Sequence, residues 1–292
     1  MGRGKSLKNK ELIHASAEIL FEIQPATVRA VCYKLFTLGK IPNMSKASTN
    51  IVSRQLVWAR EEGVIPWEWV VDETRRVERK SCWSDLSSYA MAVKRSYCRD
   101  RWEMQPYKVE VWSEKGTVRG TLAPVLDEYG AAFRVMHGYG SATALNSVAE
   151  ESSWEDEPLE VLYVGDWDPS GMHMSEVDLP GRLDRYDGHI SLSRIALTAG
   201  DVKGGGLPSF DARDKIGDRR YKWFVRNYGH SCWELDAMDP VSLRQRVEES
   251  IRELIDGDAW NRAELIEKAE FDSLSAFAEG LSKAREVPNE PR

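Results

Sequence analysis

Apolar positions recur at helical spacing through the first quarter of the chain and in short unbroken runs after it. Between Lys8 and Ile23, residues Leu12, Ile13, Ala15, Ile19, Leu20 and Ile23 fall near one side of a helical repeat, which predicts an amphipathic helix. Pro25 stops it and Thr27 starts the next, Val28 to Leu38, which Gly39 closes. Ser45 to Glu62 is a third, with Ile51, Val52, Leu56, Val57 and Ala59 as its expected buried face. Val64 to Val71 then alternates like a short hairpin or wing. Three helices followed by a small β element predict a winged helix, residues 1–75, whose third helix exposes Lys46, Ser48, Asn50, Arg54 and Arg60 to DNA.

The pattern changes beyond Asp72. A charged, partly helical stretch to Tyr107 reads as a connector (76–107), with Tyr89, Met91, Val93 and Tyr97 as a packing stripe. Its bases Arg95, Arg99 and Arg101 either line a DNA channel or are solvated, and solvation is the simpler reading. Short β-branched runs then alternate with helical segments, which predicts an α/β domain with a parallel sheet over 108–257. Its strands are expected near Val109, over Phe133–His137, over Val161–Val164 and over His189–Leu197. Its helices are expected over Thr117–Tyr129, Ala144–Glu151, Ser170–Tyr186, Tyr221–Tyr228 and Pro240–Leu254. The Gly-rich turn Gly138–Thr143 offers backbone N–H groups to a phosphate at a helix start, without matching a nucleotide-binding fingerprint. Thr198 to Arg220 reads as a long loop that contacts DNA or is idle. A strand over Cys232–Met238 is expected to carry Glu234 and Asp236 on one side. A last helix, Asp258 to Leu281, and a polar end make up 258–292.

The candidate chemistry lies where two of these strands run into acid. Lys108-Val-Glu-Val-Trp-Ser-Glu-Lys-Gly116 ends on Glu114, and Leu159-Glu-Val-Leu-Tyr-Val-Gly-Asp-Trp-Asp-Pro-Ser-Gly171 ends on Asp166 and Asp168. Ligands of open α/β sheets bind beyond the carboxyl ends of the strands, so these three acids are expected to converge. Close carboxylates repel unless a cation lies between them, and hard Mg²⁺ suits an all-oxygen site. In the front domain, Arg29 and Tyr33 lie one helical turn apart, which puts a cation beside a phenol. A positive neighbour favours phenolate and holds phosphate, whereas the simpler alternative is a packed Tyr with a surface Arg.

Composition adds bounds. With 292 residues, 42% hydrophobic and 30% charged, the chain has an ordinary globular profile and room for two domains. It shows no membrane-length apolar run and no signal-peptide core, and its Gly2 and Ser6 fit to a myristoylation pattern reads as accidental beside a basic, disordered start. Cys32, Cys82, Cys98 and Cys232 lack metal-ligand spacing and read as reduced thiols, which points to a cytoplasmic protein, nucleoid-associated if bacterial or archaeal. The net charge of −7 does not advertise nucleic-acid binding, but bases outnumber acids up to Pro106 and the rest is acidic.

A strand ending in Glu and a later one ending in Asp-x-Asp-x-x-Gly resembles the Toprim domain of topoisomerases, primases and nucleases. Together with the front helices, the chain is similar to the A subunit of type IIB topoisomerases and the related meiotic double-strand-break protein. Those have a winged helix before a Toprim domain and an Arg-x-x-(Tyr/Phe)-Tyr motif with the second Tyr reactive. Arg29 and Tyr33 match the Arg and the reactive Tyr, and Cys32 departs from the aromatic position. The resemblance spans roughly Lys8 to Ile255. It implies a Rossmann-like Toprim fold, and Mg²⁺ on Glu114, Asp166 and Asp168 with Glu234 and Asp236 as secondary ligands. It further implies Tyr33 as nucleophile, Arg29 as phosphate clamp, and a homodimer cutting both strands of DNA, with Lys115 either assisting electrostatically or simply capping the loop. Strand passage would need a separate ATPase subunit. Two other readings start from the same residues: a Toprim nuclease using a metal-activated water, and a DNA-binding module whose acids are structural.

Overall fold

The protein is described by a computed structural model over residues 7–71, 82–136, 142–154 and 157–285. In chain order its elements begin with α1 (Leu7–Ile23), β1 (Ala26–Thr27), α2 (Val28–Thr37), α3 (Lys46–Glu61), β2 (Val70–Val71) and α4 (Leu86–Ser96). Next come β3 (Lys108–Ser113), α5 (Thr117–Tyr129), β4 (Ala132–Val135), α6 (Ala142–Trp154), β5 (Leu159–Val164), α7 (Pro169–His173) and α8 (Leu179–Arg185). The chain then forms β6 (Ile190–Ala196), α9 (Ala199–Lys203), β7 (Phe210–Asp211), α10 (Tyr221–Tyr228), β8 (Ser231–Cys232), α11 (Pro240–Glu253) and α12 (Gly257–Arg285). These divide into two compact units, Met1–Arg75 with Val109–Glu253, and Arg76–Lys108 with Leu254–Arg292.

In the first unit the front helices form as their periodicity predicts. Thr27 caps α2 by accepting from the Ala30 N–H, and Ser45 caps α3 through the Ser48 N–H. Leu20, Ile23, Val31, Leu35, Val52 and Leu56 form their shared core. The whole expected face of α1 is buried, but that of α3 is narrower than expected. Val52, Leu56 and Ala59 are buried, whereas Ile51 and Val57 are 42% and 39% exposed, because they sit on either side of the contact stripe. Ser48, expected to face outward, is buried and bonds to Asn43 and Ser45. The hairpin expected over Val64–Val71 does not form. Trp67–Trp69 is a single 3-10 turn after Pro66, and Val70–Val71 pairs parallel with Ala26–Thr27 across the unit.

A mixed α/β architecture follows, with four strands in the order β4-β3-β5-β6; β3 pairs parallel with β4, and β5 with β6. The chain leaves β3 for a neighbour on one side and returns to β5 on the other, so a topological switch point lies between β3 and β5. Trp112, Val161 and Tyr163 from these two strands, Leu145 and Val148 from α6, and Leu179 and Leu183 from α8 form a core cluster. The helix expected over Ser170–Tyr186 is interrupted by a π turn at Met174–Asp178. The strand expected over Cys232–Met238 shortens to β8, followed by a 3-10 turn at Leu235–Ala237, because only Ser231–Cys232 finds a partner strand, in β7. The Gly138–Thr143 phosphate turn lies mainly outside the described residues.

In the second unit α4 packs with α12. Arg99 pairs with Glu270 at 2.9 Å and Arg101 with Glu264 at 2.9 Å and Glu267 at 2.7 Å, so these bases are engaged rather than solvated. Of the stripe expected on α4, Tyr89 and Met91 are exposed and Ala90 is the residue that is buried.

Candidate functional site

Glu114 follows β3 directly and Asp166 and Asp168 follow β5, so all three lie at the carboxyl edge of the switch point. The loop that carries the two aspartates is fixed by its backbone. Gly165 N–H donates to the Ala196 carbonyl at 2.7 Å, and Trp167 and Trp233 exchange backbone bonds at 2.9 Å in both directions. Asp168 is 5% exposed and caps α7 by accepting from the Gly171 N–H at 2.8 Å, and Asp166 accepts from the Leu235 N–H at 2.8 Å. A Cβ at Gly171 would stand 2.3 Å from the Asp166 carbonyl oxygen, so only glycine fits there.

Beneath the loop lies Arg194, whose side chain is 7% exposed. Its guanidinium donates to the carbonyls of Gly165 at 3.0 Å, Asp166 at 3.3 Å, Leu197 at 3.2 Å and Gly171 at 2.8 Å, and to the Ser175 hydroxyl at 2.9 Å. Sequence reasoning missed this residue. Arg194 is in phase with the apolar Ile190 and Leu192, but an Arg there reads as a lapse in the alternation, and nothing local signals that four carbonyls converge on it.

Two lysines face the acids. Lys115 Nζ stands 2.9 Å from Asp166 and 3.4 Å from Asp236, and Lys215 Nζ stands 3.2 Å from Asp168. Lys215 comes from the segment Thr198–Arg220, which folds into α9, β7 and a 3-10 turn at Ala212–Lys215 instead of a structureless loop. Burial works against the charge of Lys115, but Asp166 and Asp236 outweigh it and hold the ammonium above the ordinary lysine range. Glu114 moves the other way from a normal carboxylate. Burial, then repulsion from Asp166 and Asp168, holds its carboxyl above the usual range, although Lys115 and Lys215 oppose this.

The secondary acids turn towards α2. Asp236 accepts from the Thr27 hydroxyl at 2.7 Å, and Lys34 pairs with Asp239 at 2.7 Å. Arg29 forks onto both carboxylate oxygens of Glu234. Tyr33 is 6% exposed, with the Arg29 guanidinium 5.8 Å from its ring centre. Burial, then the charge and hydrogen bond of Glu234, holds its hydroxyl well above an ordinary phenol, and Arg29 offsets part of this. Cys32, beside it, is fully buried, and burial pushes its thiol up to about 11.

Glu114, Lys115, Asp166, Asp168, Glu234 and Asp236 are therefore brought together, Arg29 joins them through Glu234, and Tyr33 lies beside Arg29. Lys46, Arg54 and Arg60 on α3 enter none of these contacts. Lys46 and Arg54 are exposed, and Arg60 lies 4.8 Å from the Trp67 ring. The donor chemistry at the sheet edge, three carboxylates with crowding strong enough to lift Glu114, fits a hard divalent cation. Among the described residues no three metal-ligating side chains are already gathered on one point, and the lysines hold the places nearest the acids. The described residues include no helix long and apolar enough to cross a membrane. No protein-family model matches the chain, and neither does any curated protein.

Proposed function

We propose that this chain cleaves DNA by transesterification, with Tyr33 as nucleophile and Glu114, Asp166 and Asp168 as ligands of Mg²⁺, in a winged-helix and Toprim arrangement that acts as a homodimer. The observation that carries this reading is that one short segment ties the Tyr33 helix to the acids within one chain. Its Glu234 takes the fork of Arg29, which lies beside the Tyr33 ring, and its Asp236, two residues on, meets Lys115, which also pairs with Asp166. A phenol that is neutral at physiological pH needs a proton acceptor to attack phosphorus, and Glu234 is that acceptor. As the Tyr33 oxygen bonds to phosphorus, its proton passes to Glu234. The bond from phosphorus to one deoxyribose oxygen breaks, and that oxygen takes a proton from solvent. Protonated Glu234 no longer holds Arg29 by charge, which frees the guanidinium to clamp the phosphate. When bound, Mg²⁺ supplies neutralisation of charge on the phosphate oxygens. Lys115 keeps Asp166 and Asp236 aligned. Strand passage would need a separate ATPase partner.

A second reading, hydrolysis by a metal-activated water, is favoured by the burial of Tyr33. One assay separates the two. Supercoiled DNA is incubated with the protein and Mg²⁺ and then denatured. Transesterification predicts protein-linked ends that disappear in Tyr33→Phe. Free ends, still formed at the wild-type rate by Tyr33→Phe, would replace it with the hydrolytic reading.

A further inference from the structure

Between Arg213 and Arg226 the chain carries Arg213, Lys215, Arg219, Arg220, Lys222 and Arg226 against Asp214 and Asp218. That is a surplus of four positive charges in a protein whose net charge is −7. Internal pairs account for part of it. Arg213 meets Asp211 at 3.2 Å, Arg220 meets Asp218 at 3.1 Å, and Lys215 is held by Asp168. Arg219, Lys222 and Arg226 are exposed and, among the described residues, make no hydrogen bond or ion pair. Their spacing is helical, so they form one stripe that begins just before α10 and runs along it.

The opposite side of α10 is stapled to the acidic loop. Phe224 is fully buried. The Tyr228 ring packs edge-on against Trp167, the residue between Asp166 and Asp168, at 5.3 Å, and Trp223 meets His173 of α7 at 5.1 Å. Lys215, upstream of the stripe, reaches Asp168 itself. The stripe therefore lies on the exposed side of a helix whose buried side packs on the acidic loop and on α7. An acidic site repels a polyanion, so DNA reaches it only where neighbouring cations offset the field.

We propose that Arg219, Lys222 and Arg226 form a phosphate-backbone track that delivers DNA to the Asp166–Asp168 loop. This rests on the DNA-cleaving function proposed above, but its test does not depend on cleavage. Binding of the full chain to labelled duplex DNA is measured by fluorescence anisotropy over a range of salt concentrations in EDTA. The triple variant Arg219→Gln, Lys222→Gln, Arg226→Gln touches no other described side chain through a polar bond, and Lys215 is left intact. Each lost phosphate contact removes about 0.9 from the slope of log affinity against log salt, so the triple variant should flatten it by roughly two to three. Arg219→Lys with Arg226→Lys, which keeps the charges, should retain the wild-type slope. A wild-type slope in the triple variant overturns the track, and so does a wild type that does not bind duplex DNA. If the slope flattens but the wild type never cuts DNA with Mg²⁺, the track stands and the cleavage reading fails. If the wild type cuts and the slope is unchanged, the reverse holds.

Discussion

The two ends of the site are built differently. At the Asp166–Asp168 end, main-chain bonds to Ala196 and Trp233, the cap on Gly171 and the four-carbonyl grip of Arg194 hold the loop. At the Tyr33 end, α2 is tied to the Glu234–Asp239 segment by side chains: the Arg29 fork on Glu234, the Thr27 bond to Asp236 and the Lys34 pair with Asp239. A rigid acidic loop suits a group that must hold a cation against repulsion. Ion pairs between side chains can exchange partners, which suits groups that must release one contact to make another.

The largest expected effect sharpens this contrast. Arg194→Met keeps much of the side-chain volume but removes a donor shared by four carbonyls; Gly165 still accepts from the Leu197 N–H and Gly171 from the Met174 N–H, but those of Asp166 and Leu197 lose the guanidinium, at a total cost of about 4 kcal/mol of stability by chemical denaturation. A loss under about 1 kcal/mol would mean that the loop does not depend on this grip. Gly171→Ala drives a Cβ into the Asp166 carbonyl, a backbone atom that cannot yield, and should cost about 3 kcal/mol. Glu114→Gln removes a carboxylate that the fold holds above its usual pKa. The ionised form is disfavoured in the native state, so at neutral pH the variant should melt higher than wild type in the absence of metal; a lower melting temperature would contradict crowding at the sheet edge.

At the other end the effects are smaller. Glu234→Gln removes the charge that helps lift the Tyr33 hydroxyl, so its titration, followed by NMR of labelled tyrosine, should move down towards that of an ordinary phenol while the fold persists. No movement would separate Tyr33 from Glu234. The smallest effect concerns a pair away from both ends. Burial of Asp201 opposes its ionisation, but Arg246 at 2.6 Å and the Thr198 cap outweigh this and hold its carboxyl below the usual range. A depressed folded-state pKa gives stability that is present above the unfolded pKa of about 4 and is lost as pH falls through the folded value. Arg246→Gln should therefore lose more stability at pH 7 than at pH 3, and equal losses would contradict the pairing.

Much of this was legible where structure is local. The periodicity of α1, the caps Thr27 and Ser45 and the runs that became β3, β5 and β6 each depend on residues close in sequence. That Glu114, Asp166 and Asp168 lie at one sheet edge was also legible, because strand ends of a parallel sheet share an edge. What was not legible depends on distant partners. Val70–Val71 reads as half of a local hairpin until β1 takes it, and Cys232–Met238 reads as a strand although only its first residue finds a partner in β7. Lys215 comes from a segment with little periodic pattern, and its contact with Asp168 follows from pairings distant in sequence, β7 with β8 and the Ala212 N–H with the His230 carbonyl.

The central claim is that the acids at the switch point hold a divalent cation, and isothermal titration calorimetry with Mg²⁺ tests it most directly. Wild-type protein should bind Mg²⁺, and the double variant Asp166→Ala, Asp168→Ala should lose measurable affinity while remaining at least as stable as wild type without metal. Equal Mg²⁺ affinity in the two proteins would contradict it.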